Sequence, residues 1–202
     1  GTLPSRIAFL TVAVWWIGFA SYSLNRLPSN PFGKKAEGGW LLNGYRELKQ
    51  VYGKIRELPQ MQKFVFGFFF YNAGVQAVMY LASLFGAAEL KMDTSELIIT
   101  VLLIQLVAIA GAYGFAHLSK IKGNIYSIVV MIVIWIVVCI LAFFVSTNYQ
   151  FFGLAFLVGL IMGGIQALSR ATFSKLIPAD TTNHASYFSF YDVTFNVSIV
   201  FG

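Results

Sequence analysis

The chain has 202 residues, of which 58% are hydrophobic and only 11% charged, whereas a soluble domain carries about a quarter charged residues. A soluble globule is therefore excluded and a chain solvated by a lipid bilayer is expected; the lone Cys139 excludes a disulfide framework and a thiolate metal cluster. The net charge of +6 raises nucleic acid as a partner, and the placement of the charges along the chain decides against it.

Spanning about 30 Å of hydrocarbon takes roughly 20 helical residues. Five runs qualify or come close, at 7–25, 64–88, 97–116, 125–146 and 151–169, and a sixth begins near Ala185 and is cut off at Gly202. Lipid offers no hydrogen bonds to an open backbone, so these runs are expected to be helices; they are too long for barrel strands and lack a two-residue alternation. The first run has no basic start and no cleavage site after Trp15 and Trp16, so it does not read as a signal peptide. A start at Gly1 and an end inside an apolar run suggest part of a larger membrane protein.

The stretch after the first run, residues 26–63, holds Arg26, Lys34, Lys35, Arg46, Lys49, Lys54, Arg56 and Lys63 against Glu37, Glu47 and Glu57. Within it Leu41, Tyr45, Leu48, Tyr52 and Ile55 repeat at 4-3-4-3 spacing, which predicts an amphipathic helix ended by Pro59. Such a helix lies at the headgroups with snorkelling lysines, and bracing two halves of a transporter would be a consequence. The next loop, ELKMDTSE, is acidic; HLSKIKGN is basic; TNYQ is uncharged; the fifth loop carries Arg170 and Lys175. Basic loops alternate with non-basic ones, the positive-inside pattern. The charge is thus a topology signal: loops one, three and five are expected to face the cytoplasm, and no nucleic acid is expected.

Polar side chains inside apolar runs mark functional faces or helix contacts. Runs one and four contain almost nothing polar and are expected to face lipid. Run two places Asn72 and Gln76 four apart on one face, run three has Gln105 at its middle, run five pairs Gln166 with Arg170, and run six pairs Asp192 with Asn196. The set implies a polar cavity bounded by runs two, three, five and six, with Phe69, Phe70 and Tyr80 as candidate apolar walls. Each amide alone could equally be interhelical glue worth roughly 0.6 kcal/mol. The small pairs Gly159/Gly163 and Ala110/Gly114 are expected to let helices approach closely. His117 and His184 have no second histidine at ligand spacing, GKKAEGG lacks the pattern of a phosphate loop, and Asp192 has no dyad partner for intramembrane catalysis. Neither an enzyme nor a metal or cofactor site is indicated.

Three segments, FFFYNAGVQAVMYLASLFGAAEL, GLIMGGIQALSRATFSKLIP and ASYFSFYDV, together resemble the vacuole-effluxer (autophagy-related) branch of the major facilitator superfamily, and the similarity extends over essentially the whole chain. The resemblance implies an all-α, polytopic transmembrane bundle, here a partial major-facilitator fold running from the sixth to the early eleventh of twelve spanning helices. Residues 1–25 would be the last helix of the first half, 26–63 the central cytoplasmic loop, and 64–202 the truncated second-half bundle. In that fold the sixth and ninth helices are peripheral and the seventh and tenth line the cavity, matching the apolar runs one and four and the polar runs two and five. Two departures stand out: GFAHLSKIKGN occupies the place of a cytoplasmic loop signature without its aspartate, and Ala73 and Asn196 stand where some members carry an acidic residue and a lysine.

The expected function is secondary transport of a small polar solute by alternating access, with export, and amino acids as the substrate class in the fungal member, implied by the resemblance. Asn72, Gln76 and Gln105 would hydrogen-bond the solute, with Gln166 nearer the cytoplasmic end. Arg170 and Asp192, with Asn196 one turn deeper, would form a cytoplasmic gate; the plainer account has Arg170 snorkelling to headgroups while Asp192 hydrates a helix end. Expected partners are the lipid bilayer, the solute and a coupling proton, and the expected location is a bacterial inner membrane. The alternative is a membrane scaffold or receptor that keeps the fold and transports nothing.

Overall fold

The computed structural model describes residues 3–27, 40–179, 181 and 183–202. Lys34 and Lys35 of the basic loop, and the side chain of Leu41, lie outside the described residues. Among the described residues every regular element is a helix: α1 (Leu3–Arg26), α2 (Trp40–Glu57), α3 (Pro59–Ala88), α4 (Thr94–Lys122), α5 (Asn124–Ala142), α6 (Asn148–Leu176) and α7 (His184–Phe201). The six apolar runs are α1 and α3–α7, and the amphipathic loop segment is α2. Five helices, α1 and α3–α6, are long and apolar enough to cross a membrane. The chain divides into two compact units, Gly1–Asn43 and Gly44–Gly202. The first holds α1 and the opening of α2; the second holds the rest of α2 and α3–α7.

The helices outlast the charge-free runs that signal them. At 30 residues, α3 rises about 45 Å, so its first turns extend beyond the hydrocarbon. Leu58 alone separates α2 from α3, and Pro59 opens α3, where its missing N–H costs nothing. The basic segment His117–Lys122, expected to be a loop, is instead the last turn and a half of α4. The connection to α5 is Gly123 alone, at φ +90°, a conformation that a side chain would oppose. Asp93 and Glu96 close a capping box at the start of α4, with the Asp93 N–H donating to Glu96 Oε2 at 3.0 Å. α5 ends at Ala142 rather than running to 146, and a tight turn at Phe143 and Phe144 follows.

Two apolar clusters hold the second unit together. In the first, Met131, Trp135 and Val138 of α5 meet Ile161, Ile165 and Leu168 of α6. The most extensive helix contact is α4 on α6, and it is backbone on backbone. A β-carbon at Gly159 would lie 2.8 Å from the Ile104 carbonyl oxygen, and Gly163 is pressed as closely on Ala108 and Gly111 on Leu160. The Gly159/Gly163 pair therefore does what small pairs do. The Ala110/Gly114 pair does not take part: Gly114 has open space where a β-carbon would stand, and α4 meets α6 through Ala108 and Gly111 instead.

The second cluster gathers Val51 and Ile55 of α2 with Met61 and Phe68 of α3, Phe173 of α6 and Tyr187 of α7. It seats α2 on the end of the bundle where α3 and α7 start and α6 stops. The buried line of α2 overlaps the expected one at Ile55 and half-buried Leu48 and adds Val51. Val51 and Ile55 are buried, whereas Tyr45 and Tyr52 are exposed. The 4-3-4-3 spacing fits two neighbouring lines of the helix, and the converging ends of α3, α6 and α7 bury the aliphatic one.

Candidate functional site

A cleft of about 680 Å³ opens between α3, α6 and α7. α3 supplies Phe68, Tyr71, Asn72 and Val75, a 3-1-3 spacing that keeps one helical face toward the cleft. α7 runs alongside α3 in the same direction: Phe68 stacks on Tyr191 with centroids 4.5 Å apart, and further along Asn72 meets Ser198.

A polar bridge ties each pair of these helices. Between α3 and α7, Asn72 Nδ2 donates to Ser198 Oγ at 2.5 Å, and Ser198 Oγ donates to its own helix at the Phe195 carbonyl at 2.7 Å. Asn72 is buried at 6% exposure, and no bond within the described residues engages its Oδ1. Between α3 and α6, the Tyr71 and Ser169 hydroxyls lie 2.6 Å apart. Ser169 spends its single hydrogen on the Ile165 carbonyl, so Tyr71 is the donor. Between α6 and α7, Arg170 pairs with Asp192 through Nη2 and Oδ1. The Arg170 guanidinium also lies over the rings of Tyr191 and Phe188, 5.6 and 5.8 Å from their centroids, within cation–π range. It is the ion pair that the described residues form.

Depth orders these bridges. Asp192 precedes Ser198 by six residues, so the ion pair sits about 9 Å nearer the helix starts, the end on which α2 is seated. Side chains of both partners remain half-exposed, at 55% and 52%. Gln166, one turn deeper than Arg170 on α6, lines the same cleft and is exposed to it.

The other candidates fall elsewhere. Asn196 turns back onto its own helix, where Nδ2 donates to the Asp192 carbonyl at 2.7 Å, so it takes no place in the cleft lining. Gln76 is half-buried on α3 and also outside the lining. Gln105 is exposed on α4, which packs on α5 and α6 and has no wall in the cleft. Phe70 and Tyr80, 58% and 68% exposed, point away from the cleft, and Phe69 meets Phe201 instead. The aromatic walls are Phe68, Phe188, Tyr191 and Phe195.

Tyr71, Ser169 and Ser198 are the residues that sequence reasoning missed. Hydroxyls pass as neutral in a hydropathy scan, and in an isolated helix the two serines can satisfy themselves on the preceding turn. Their one signal was position: Tyr71 adjoins Asn72, and Ser169 adjoins Arg170. Another recess, of about 360 Å³ between α3, α4, α5 and α6, is almost wholly apolar. Its hydroxyls at Thr100 and Ser83 are spent on the Glu96 and Tyr80 carbonyls. The described residues contain no cluster of three His, Cys, Asp or Glu that could hold a metal.

A three-helix polar cleft between apolar spans is the setting of a membrane carrier, and comparison with known proteins decides which. Residues 1–202 match the family described as vacuole effluxer Atg22 like. The chain belongs to that family. It is 31% identical over 189 residues to an uncharacterized MFS-type transporter, YxiO, of Bacillus subtilis, covering 94% of this chain and 43% of that protein. It is 28% identical to autophagy-related protein 22 of Yarrowia lipolytica, covering all of this chain and 39% of that one. The protein of the same name from Kluyveromyces lactis is 26% identical over 98% of this chain and 44% of its own length. The chain thus spans roughly two fifths of these curated relatives. No solved structure matches it. Membership places this multi-pass membrane chain within the major facilitator superfamily, a family of transporters rather than enzymes.

Proposed function

We propose that this chain forms the solute-binding and inner-gate portion of a secondary transporter that exports a small polar solute by alternating access. Residues 1–25 serve as the last helix of the first half, 26–63 as the central cytoplasmic loop, and 64–202 as the second-half bundle. The observation that carries the reading is the Arg170–Asp192 pair bridging α6 and α7 at one end of a cleft whose deeper wall offers Asn72 and Gln166. Asn72 Oδ1 accepts from the solute while Nδ2 holds α7, and Gln166 can both donate and accept. Gln76 extends the polar face one turn outward, Asn196 steadies the turn of α7 that presents Asp192, and Gln105 is not assigned to the solute.

The pair closes the inner end when formed and opens it when α7 moves from α6. An Arg–Asp pair beside aromatic rings also suits a solute carrying both charges, as amino acids do, and the family description as an effluxer supports export. The coupling ion we assign to this cycle is a proton, which the pH-gradient arm of the transport test checks. The similarity to a Bacillus subtilis protein supports placement in a bacterial cytoplasmic membrane.

The test is transport by the full-length protein in proteoliposomes, with and without a pH gradient. Arg170→Ala and Asp192→Ala should each lower the rate by about tenfold, equivalent to roughly 1.4 kcal/mol, since a half-exposed orphan charge keeps some access to water. The swapped double variant should recover part of the loss. A swap no better than the single changes, with a silent Asp192→Asn, would discard the gate. Unimpaired folding with no transport of any amino acid would favour a scaffold.

A further inference from the structure

The packing of α2 leaves it a second surface that the transport reading does not use. Val51 and Ile55 turn one side into the protein, while Tyr45, Arg46, Lys49, Tyr52 and Arg56 are exposed. Positions 45, 49, 52 and 56 fall within one narrow stripe of a 3.6-residue helix, giving a Tyr-Lys-Tyr-Arg line with Arg46 beside it. The acidic residues of α2 lie on another side. Glu47 accepts from Ser186 Oγ at 2.9 Å, and Glu57 borders a recess with Pro178 and Asn183. Both carboxylates thus lie toward the 178–187 turn, where Lys54 joins them, and the stripe that points outward carries cations and phenols without an acidic residue. No ion pair formed by the described residues engages Arg46, Lys49 or Arg56.

The level of this stripe identifies its partner. The buried side of α2 touches Met61 near the start of α3, Ile177 just past the end of α6, and Tyr187 near the start of α7. The helix thus lies where three bundle helices begin or end, at the height of lipid headgroups. Phenols and long cationic side chains are the chemistry of that layer: the ring and the methylene stem meet acyl carbons, and the polar tip meets phosphate. We propose that the exposed face of α2 docks on anionic phospholipid headgroups of the cytoplasmic leaflet, fixing the central loop against the membrane. Three cations at about 1 kcal/mol each near such a surface are enough to select anionic over neutral lipid.

The test reads lipid contact and is blind to transport. Gly53, exposed at the border of the stripe with open space around it, takes a spin label as Gly53→Cys in a Cys139→Ala background. The full-length protein, its other cysteines replaced, is placed in nanodiscs of phosphatidylcholine alone or mixed with phosphatidylglycerol. Adding the anionic lipid should lower label accessibility to a water-soluble nickel chelate by about twofold or more, and high salt should reverse this. Arg46→Gln, Lys49→Gln and Arg56→Gln together should abolish the response, while Lys120→Gln with Lys122→Gln, at the end of α4, should leave it intact. A label equally exposed in both lipids would overturn the proposal, as would a response that survives the triple change. Shielding that ignores lipid charge would assign the face to protein, such as a second copy, and overturn it as well.

Discussion

Asn72 and Gln76 share a helix and a sequence spacing, yet their surroundings differ. Asn72 is buried and donates to Ser198, while Gln76 is half-buried, makes no such bridge among the described residues and takes no part in the cleft lining. Asn72→Leu should therefore remove an interhelical bond, worth on the order of 0.6 to 1.7 kcal/mol in a membrane, and a solute contact together. Solute binding to the full-length protein, measured by scintillation proximity or calorimetry, should weaken more for Asn72→Leu than for Gln76→Leu. Equal effects would mean that the cleft extends outward past Ala73. Tyr71→Phe isolates the remaining bridge: it deletes the donor to Ser169 and keeps the ring, so it should lower stability by about 1 kcal/mol with little change in solute affinity.

At the scale of elements, the α4–α6 crossing makes a sharp contrast between glycines of identical sequence appearance. Gly163 packs on the Ala108 backbone, whereas Gly114 faces open space. Gly163→Ala should force the helices apart and cost about 1–3 kcal/mol, seen as a lower melting temperature in detergent. Gly114→Ala should be neutral or stabilising by up to roughly 1 kcal/mol, because alanine is the better helix former. The same logic applies to α2. Ile55→Ala opens a cavity in the inner cluster and should cost about 2–5 kcal/mol, whereas Tyr52→Ala, on the exposed side, should cost far less. Spacing revealed that α2 is amphipathic and named Ile55, but the convergence of the α3, α6 and α7 ends added Val51 and left Tyr45 and Tyr52 outside.

For the molecule as a whole, the alternation of basic and non-basic connections sets one orientation. A reporter fused at Lys54 should read as cytoplasmic and one fused at Lys91 as external; the opposite result would overturn the inner-gate proposal along with the lipid-facing role of α2. The spans, their number and their order were legible in the residues because lipid imposes one simple requirement, an uninterrupted apolar helix of sufficient length. The involvement of Asn72, Gln166, Arg170 and Asp192 in a common cleft was legible too, because polar groups in such helices are few. What the residues by themselves could not decide is which apolar face meets protein and which meets lipid, since acyl chains are as apolar as leucine and hydropathy treats both alike. Only the tertiary structure placed Gln105 outside the cleft, turned Asn196 back onto its helix, and joined Tyr71 to Ser169 across 98 residues of sequence. The placement of α4, and of Gln105 with it, follows from how closely backbones approach at Gly111, Gly159 and Gly163, a property of two helices packed together and of neither helix alone.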